Sequence, residues 1–319
     1  MLLPYLLFIL GFIFLIKGAD YLVDGASSLA KKLGLSPLFV GLTIVAFGTS
    51  APELFVNIAA SIEGSAGIAI GNVVGSNIAN ILLILGLSAM IYPLRAKDST
   101  LRTEIPLAFL AVLALLVSVN DRLIDGLSFN ALSRSEGLMF WLFFIIFIYY
   151  TFGIIKNPNK EKDEQIKERK GAMIALMISG GLIALVFGSK LIVDNGLIIA
   201  SALGISEALV GLTLIAVGTS LPELATSAMA AYRKKPDIAI GNIVGSNIFN
   251  IFFVLGTSSL VRPIAFDPAL NFDIIATLLA TFGLLLAFFV GKKKVLERWQ
   301  GCGFLFLYLL YIVYLINRG

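Results

Sequence analysis

The chain has no histidine, one cysteine and few charges: only 14% of its 319 residues are Asp, Glu, Lys or Arg, against 58% hydrophobic ones. Without histidine there is no imidazole proton shuttle, no HExxH zinc site and no Ser-His catalysis. With Cys302 alone there is no intrachain disulfide and no CxxC metal or redox pair, and a lone thiol on an apolar face is its plain reading. Any proton chemistry therefore falls to carboxylates. The shortage of charge leaves stretches of about twenty apolar residues, long enough to cross a hydrocarbon core of roughly 30 Å. The expected class is an all-α polytopic membrane protein.

Ten apolar segments are expected, at 2–18, 36–62, 68–91, 103–119, 136–154, 171–190, 206–231, 238–261, 273–291 and 301–317. The first lacks a basic leader and a small-residue cleavage site, so it reads as a retained span. One hydrophilic stretch, "KNPNKEKDEQIKERK" at 156–170, separates five segments from five and reads as a solvated cytoplasmic linker. The net charge of +4 does not call for nucleic acid, because the basic residues sit in short loops. If both termini lie outside the cell, 19 of the 24 Lys and Arg fall in cytoplasmic loops. The five on the other side are Arg122, Arg134, Lys190, Arg262 and Arg318. That bias orients the chain with both termini extracellular in the cell membrane.

The chain also repeats itself. "VAFGTSAPELFVN" at 45–57 returns as "IAVGTSLPELATS" at 215–227, and "IAIGNVVGSNIANI" at 68–81 returns as "IAIGNIVGSNIFNI" at 238–251. A constant offset of 170 residues aligns Glu53 with Glu223, Asn80 with Asn250, Asp24 with Asp194, Gly41 with Gly211 and Pro93 with Pro263. The expected organisation is a first five-helix repeat over 1–155, the linker, and a second over 171–319. An odd number of spans per repeat makes the second cross in the opposite sense. Inverted repeats place equivalent residues around an axis near the membrane midplane, where secondary transporters bind substrate.

Local physics points to the same place. Pro52 and Pro222 offer no N–H to the carbonyl four residues back, so each helix is expected to bend or break there. Carbonyls freed in lipid are tolerable only beside a partner or a wet cavity. Thr49 and Ser50, or Thr219 and Ser220, flank each break, with Glu53 or Glu223 within one turn. Ser76 and Asn80, like Ser246 and Asn250, are spaced i,i+4 and share a helix face. A carboxylate within a span costs about 2.5–3.5 kcal/mol on insertion scales, and no Lys or Arg lies in the four motif-bearing spans to pair with it. The pooled inventory is hard oxygen: two carboxylates, hydroxyls, amide oxygens and carbonyls. Such a set suits Ca²⁺, which takes 6–8 oxygens, and can be shared with Na⁺. Two negative charges neutralise one Ca²⁺, mutual exclusion in one cavity couples the two ion fluxes, and acid pH is expected to inhibit.

Other residues receive simpler readings. Gly71, Gly75, Gly241 and Gly245 form small-xxx-small faces for close helix packing, and Asn72, Asn77, Asn242 and Asn247 are expected in interhelical hydrogen bonds. Asp24, Asp194, Asp121 and Asp125 are expected to be solvated near span ends or in loops. The 24 phenylalanines read as lipid-facing and packing surface.

The paired motifs "GTSAPE" with "GNVVGSNIAN" and "GTSLPE" with "GNIVGSNIFN" resemble the two α-repeats of the sodium/calcium exchanger family, in its compact prokaryotic form. The resemblance implies sodium-driven calcium movement by alternating access, with calcium and sodium as transported ions and no cofactor. It implies a site built from Glu53 and Glu223, the hydroxyls of Thr49, Ser50, Thr219 and Ser220, the carbonyls of Ala46 and Ala216, and Ser76, Asn80 and Ser246. It also implies that the first and sixth helices slide as a gating pair. One departure stands out: members that require potassium, and some prokaryotic ones, carry aspartate where this chain has Asn250, which argues against potassium co-transport.

The sequence leaves rivals. A proton/calcium exchanger would use the same glutamates, but that family resembles a motif in which an acid follows the GN pair. A passive channel would need a pore, usually built by several subunits around an axis. A membrane enzyme has no nucleophile–base pair here, so none is expected. The expected partners are the two ions and the lipid bilayer, with a monomer among the compatible assemblies.

Overall fold

The structure, a computed structural model, describes residues 2–153, 169–202 and 218–318. Its helices are α1 (Leu2–Leu33), α2 (Pro37–Thr49), α3 (Ala51–Glu63), α4 (Ala66–Ile91), α5 (Thr100–Ser118), α6 (Arg134–Gly153), α7 (Gly171–Ala202), α8 (Leu221–Tyr232), α9 (Pro236–Val261), α10 (Asn271–Ala287) and α11 (Arg298–Arg318). Among the described residues eight helices are long and apolar enough to cross a membrane, or nine if the bent pair α2–α3 is counted as one span. Of the expected segment 206–231, the described helix is α8. The stretch 203–217, with Gly211 and Ala216, lies outside the described residues, as do 154–168 of the linker.

Two expectations about helix length need correction. The first and sixth segments were expected over 2–18 and 171–190, yet α1 and α7 each run 32 residues. Lys17, Asp20 and Asp24 end the apolar run in sequence but not the helix, because other elements answer the acids. Arg233 pairs with Asp20, and Arg169 reaches Asp24 at 2.5 Å, so Asp24 is ion-paired rather than simply solvated. Lys17, assigned to a loop, is an exposed residue within α1. Lys190 likewise lies within α7.

α1 and α7 lie antiparallel against each other through glycines. A Cβ on Gly18 would come 2.8 Å from the Gly181 carbonyl, and one on Gly11 would come 2.9 Å from that of Gly188. Only hydrogen side chains allow this approach, and the heptad spacing of Gly11 and Gly18 keeps the stripe on one face.

The proline break is present as the motif physics requires. Ser50, at φ −81 and ψ 5, leaves helical geometry, Pro52 sits in the first turn of α3, and the two helix axes meet at 44°. Gly64 closes α3 in the left-handed region at φ +81. Wide π-helical turns, not foreseen from sequence, occupy Gly41–Val45, Ala79–Leu85 and Phe249–Leu255, the last two holding Asn80 and Asn250. Such turns recur at functional sites.

α4 and α9 cross antiparallel. Lys97, just past α4, pairs with Asp237 at the start of α9 at 2.7 Å, while Arg262, just past α9, lies against Gly64 and the Ile62 carbonyl before α4. Short ribbons fasten both ends: β1 (Leu94–Arg95) with β4 (Val295–Leu296) at one, and β2 (Ala131–Leu132) with β3 (Ile264–Ala265) at the other, each antiparallel. The phenylalanines are less scattered than expected. Phe140, Phe144 and Phe147 of α6 meet Phe249, Phe252 and Phe253 of α9, with Phe144 and Phe249 edge-to-face at 4.9 Å.

Candidate functional site

Glu53 stands in the first turn of α3 and Glu223 in the first turn of α8, each directly after a proline. Helix N-termini carry partial positive charge and unpaired N–H groups, so each break supplies a favourable field to its own carboxylate. Both glutamates are 1% exposed, and neither has a cationic partner among the described residues. Hydroxyls serve them across the repeat. Ser50 donates to Glu223 Oε1 at 3.1 Å, and Ser220 donates to Glu53 Oε1 at 3.4 Å. α4 and α9 contribute next, with Ser246 Oγ 3.4 Å from Glu223 Oε1 and Ser76 Oγ 3.1 Å from Ser220 Oγ.

Asn80 and Asn250 are turned by their neighbours. Asn80 Nδ2 donates to Asn247 Oδ1 at 2.9 Å, and Asn250 Nδ2 donates to Asn77 Oδ1 at 3.0 Å. With their nitrogens engaged, their Oδ1 atoms are left without a hydrogen-bond partner, as are Glu53 Oε2 and Glu223 Oε2. Four buried acceptor oxygens from four helices, each without a donor, would be costly unless a cation answers them. No cluster of three or more His, Cys, Asp or Glu occurs among the described residues, so the donor set is two carboxylates joined by neutral oxygens.

A second layer holds these groups. Thr49 donates to Asn242 Oδ1 at 3.0 Å, and Asn242 Nδ2 donates to Ser227 at 3.0 Å. In the other motif pair Thr219 donates to Asn72 Oδ1 at 3.3 Å, Asn72 Nδ2 to Asn57 Oδ1 at 2.7 Å, and Asn57 Nδ2 to the Ala69 carbonyl at 2.8 Å. The four motif asparagines thus make the interhelical hydrogen bonds expected of them. Asn57 and Ser227 were missed, because the repeat breaks there and only their polar character inside a span could have marked them.

Ala46 departs from expectation. Its carbonyl accepts the Ser50 backbone N–H at 3.0 Å and lies 3.3 Å from the Thr49 hydroxyl, so it is engaged within the helix rather than freed. The Thr49 proton can go to Asn242 instead, which leaves this carbonyl one lone pair. Around Gly245 the packing is as tight as expected, a Cβ there falling 2.7 Å from the Leu42 carbonyl. A Cβ on Gly71 or Gly75 would meet no atom within 4 Å beyond its own stretch of helix, among the described residues.

Two buried acids outside this cluster also escaped the sequence reading. Glu104 of α5 accepts from Tyr150 of α6 at 2.8 Å, and Asp273 of α10 accepts from Tyr311 of α11 at 2.9 Å and from Arg318 at 2.8 Å. Both stand near span ends, where an acid looks solvated in sequence.

Comparison with known proteins agrees with this geometry. The family model described as "Sodium/calcium exchanger protein" matches residues 3–153 and 173–317. The chain is 36% identical to the sodium/calcium exchanger MaX1 of Methanosarcina acetivorans, covering 98% of both chains. It is 38% identical to the inner membrane protein YrbG of Escherichia coli over 84% of this chain and 83% of that one. Among solved structures it is similar to the sodium–calcium exchanger NCX_Mj, with a TM-score of 0.83 and 33% identity over 98% of this chain and 99% of that one. The chain belongs to the sodium/calcium exchanger family, whose members are multi-pass membrane transporters.

Proposed function

We propose that this protein is a secondary active antiporter that exchanges sodium for calcium by alternating access at one shared site. Glu53 and Glu223 supply the charge, and Thr49, Ser50, Thr219, Ser220, Ser76, Ser246, Asn80 and Asn250, with the carbonyls of Ala46 and Ala216, supply neutral oxygens. The carrying observation is the set of four buried, unpartnered acceptors: Glu53 Oε2, Glu223 Oε2, Asn80 Oδ1 and Asn250 Oδ1. Two carboxylates balance one Ca²⁺ in full, and hydroxyls and amides complete an oxygen shell of the kind Ca²⁺ accepts. Na⁺ uses the same oxygens at lower charge, so the two cargoes exclude each other, and that exclusion is what couples their fluxes.

In this reading the chain is ten spans in two inverted five-helix repeats, 1–155 and 171–319, joined by the linker at 156–170, with broken helices meeting at the midplane. The antiparallel crossing of α4 and α9 supports it, as do the contacts that recur at the offset of 170: Ser50 on Glu223 and Ser220 on Glu53, and Asn80 on Asn247 and Asn250 on Asn77. Both termini lie outside, and the end that carries Arg95, Lys97, Lys234 and Lys294 is cytoplasmic. Names of relatives add weight, since MaX1 and NCX_Mj are both sodium/calcium exchangers. The test is calcium uptake into liposomes holding the purified protein under a sodium gradient or a proton gradient.

A further inference from the structure

The two ends of the α4–α9 crossing carry a cavity each, and the two are equivalent under the offset of 170. One, of about 130 Å³, lies between Gly64, Ala66 and Arg262. The other, of about 560 Å³, lies between Arg95, Lys97 and the turn before α9, at Lys234 and Pro236. The repeat alone accounts for a cavity at each end. It does not account for the larger one being walled by five cations, Arg95, Lys97, Lys234, Lys235 and Lys294, where its counterpart has Arg262 alone.

Lys97 is paired with Asp237 at 2.7 Å and Lys294 with Asp98 at 2.8 Å. These ion pairs brace the wall, because Lys97 joins the loop after α4 to α9, and Lys294 joins that same loop to the ribbon strand β4. The strand pairing of Arg95 with Val295 and the bond from the Ala96 N–H to the Lys294 carbonyl at 2.9 Å close the floor. Arg95 and Lys234 have no carboxylate partner among the described residues, and Lys234 is held in a left-handed turn at φ 57. Beside these ion pairs the cup keeps two positive charges without a carboxylate partner among the described residues, Arg95 and Lys234. It opens where Pro37 and Pro236 begin membrane-crossing helices, which is the depth of phospholipid headgroups. A tendency of basic residues to stay on one side explains their sign, but not their convergence from three separate segments on one cavity.

We propose that this cup binds a phosphate-bearing anion of headgroup size, with Arg95 as the forked donor and Lys234 as a point charge. The ligand is either the headgroup of an anionic phospholipid or a free phosphate compound. Neither source involves the glutamate site, and the measurement is one of binding rather than transport.

Purified protein is placed in nanodiscs of phosphatidylcholine, alone or doped with phosphatidic acid, and lipid retention is followed by native mass spectrometry beside the thermal unfolding midpoint. Inorganic pyrophosphate is titrated into the pure phosphatidylcholine discs. A rise in midpoint and retained phosphatidic acid identify a headgroup site, and a rise with pyrophosphate alone identifies a site for free phosphate. In either case Arg95→Gln with Lys234→Gln weakens the effect at least about tenfold, each basic residue near an anionic surface being worth roughly fivefold. Lys292→Gln with Arg298→Gln, which removes the same charge at the same end outside the cup, leaves it intact. An absence of response to both probes overturns the proposal. So does an equal loss in the two double variants, which would mean diffuse surface charge.

Discussion

Asn77 Nδ2 donates to the Asn247 backbone carbonyl at 3.2 Å, and Asn247 Nδ2 lies 3.4 Å from the Asn77 carbonyl in return. This exchange sits halfway along α4 and α9, where the two helices cross. Each asparagine uses its remaining oxygen to hold the nitrogen of Asn250 or Asn80. The crossing therefore does two jobs, fastening the helices and fixing the Asn80 and Asn250 amides so that their oxygens are left without a partner.

Asn77→Ala tests that constraint. It removes the acceptor that turns Asn250, so calcium affinity is expected to fall about 10–100-fold, as when residues behind a metal ligand are lost. Calcium titration by calorimetry checks this, with folding verified by gel filtration. An unchanged affinity would mean that Asn250 does not need its orientation.

Removing either carboxylate is harsher. Glu53→Gln and Glu223→Gln each leave a divalent ion half neutralised in a water-poor site, so coupled calcium flux is expected to fall by at least about a hundredfold. The check is radiolabelled calcium uptake in liposomes.

Acidification acts on the same atoms. On the proposed function calcium binds the deprotonated carboxylates, so lowering pH is expected to lower apparent calcium affinity, and raising calcium to restore the rate. A pH series of uptake against calcium concentration checks this. A fall in maximal rate with unchanged apparent affinity would contradict it.

Asn250→Asp adds charge but sets a carboxylate oxygen against Asn77 Oδ1, now 3.0 Å from the Asn250 nitrogen. Two acceptors repel, so the aspartate binds calcium better only when Asn77 is also replaced by a donor. The expected order of calcium affinity is Asn250→Asp alone below the double variant with Asn77→Ser, measured by the same titration.

The glycine stripe between α1 and α7 predicts a separation of binding from movement. Gly18→Leu pushes the two helices apart, while the site residues stand on α2, α3, α4, α8 and α9. Exchange is expected to slow at least about tenfold with calcium binding retained, if sliding of this pair gates access. Loss of binding and flux together would place α1 and α7 in the site's support instead.

Much of the candidate site is legible in the sequence because lipid makes polar residues conspicuous. Glu53 and Glu223 stood out as acids without a basic residue in their spans, and Ser76 with Asn80 stood out by a spacing of one helical turn. Asn57 and Ser227 were not legible, since the offset of 170 pairs an amide with a hydroxyl there and gives no matching signal. Helix length was misread for a different reason. Lys17, Asp20 and Asp24 end a hydrophobic run, but Arg233 and Arg169 come from distant segments to pair with the acids, and no local pattern announces them. Glu104 and Asp273 were hidden similarly, because Tyr150 and Tyr311 reach them from the neighbouring helix.

The most direct measurement is calcium uptake by sodium-loaded liposomes holding the purified protein and diluted into sodium-free buffer, beside liposomes with an imposed proton gradient and with none. Uptake that requires the outward sodium gradient, and disappears in Glu53→Gln and Glu223→Gln, is the result this mechanism predicts. Uptake driven by protons without sodium, or a downhill leak without either gradient, would contradict it.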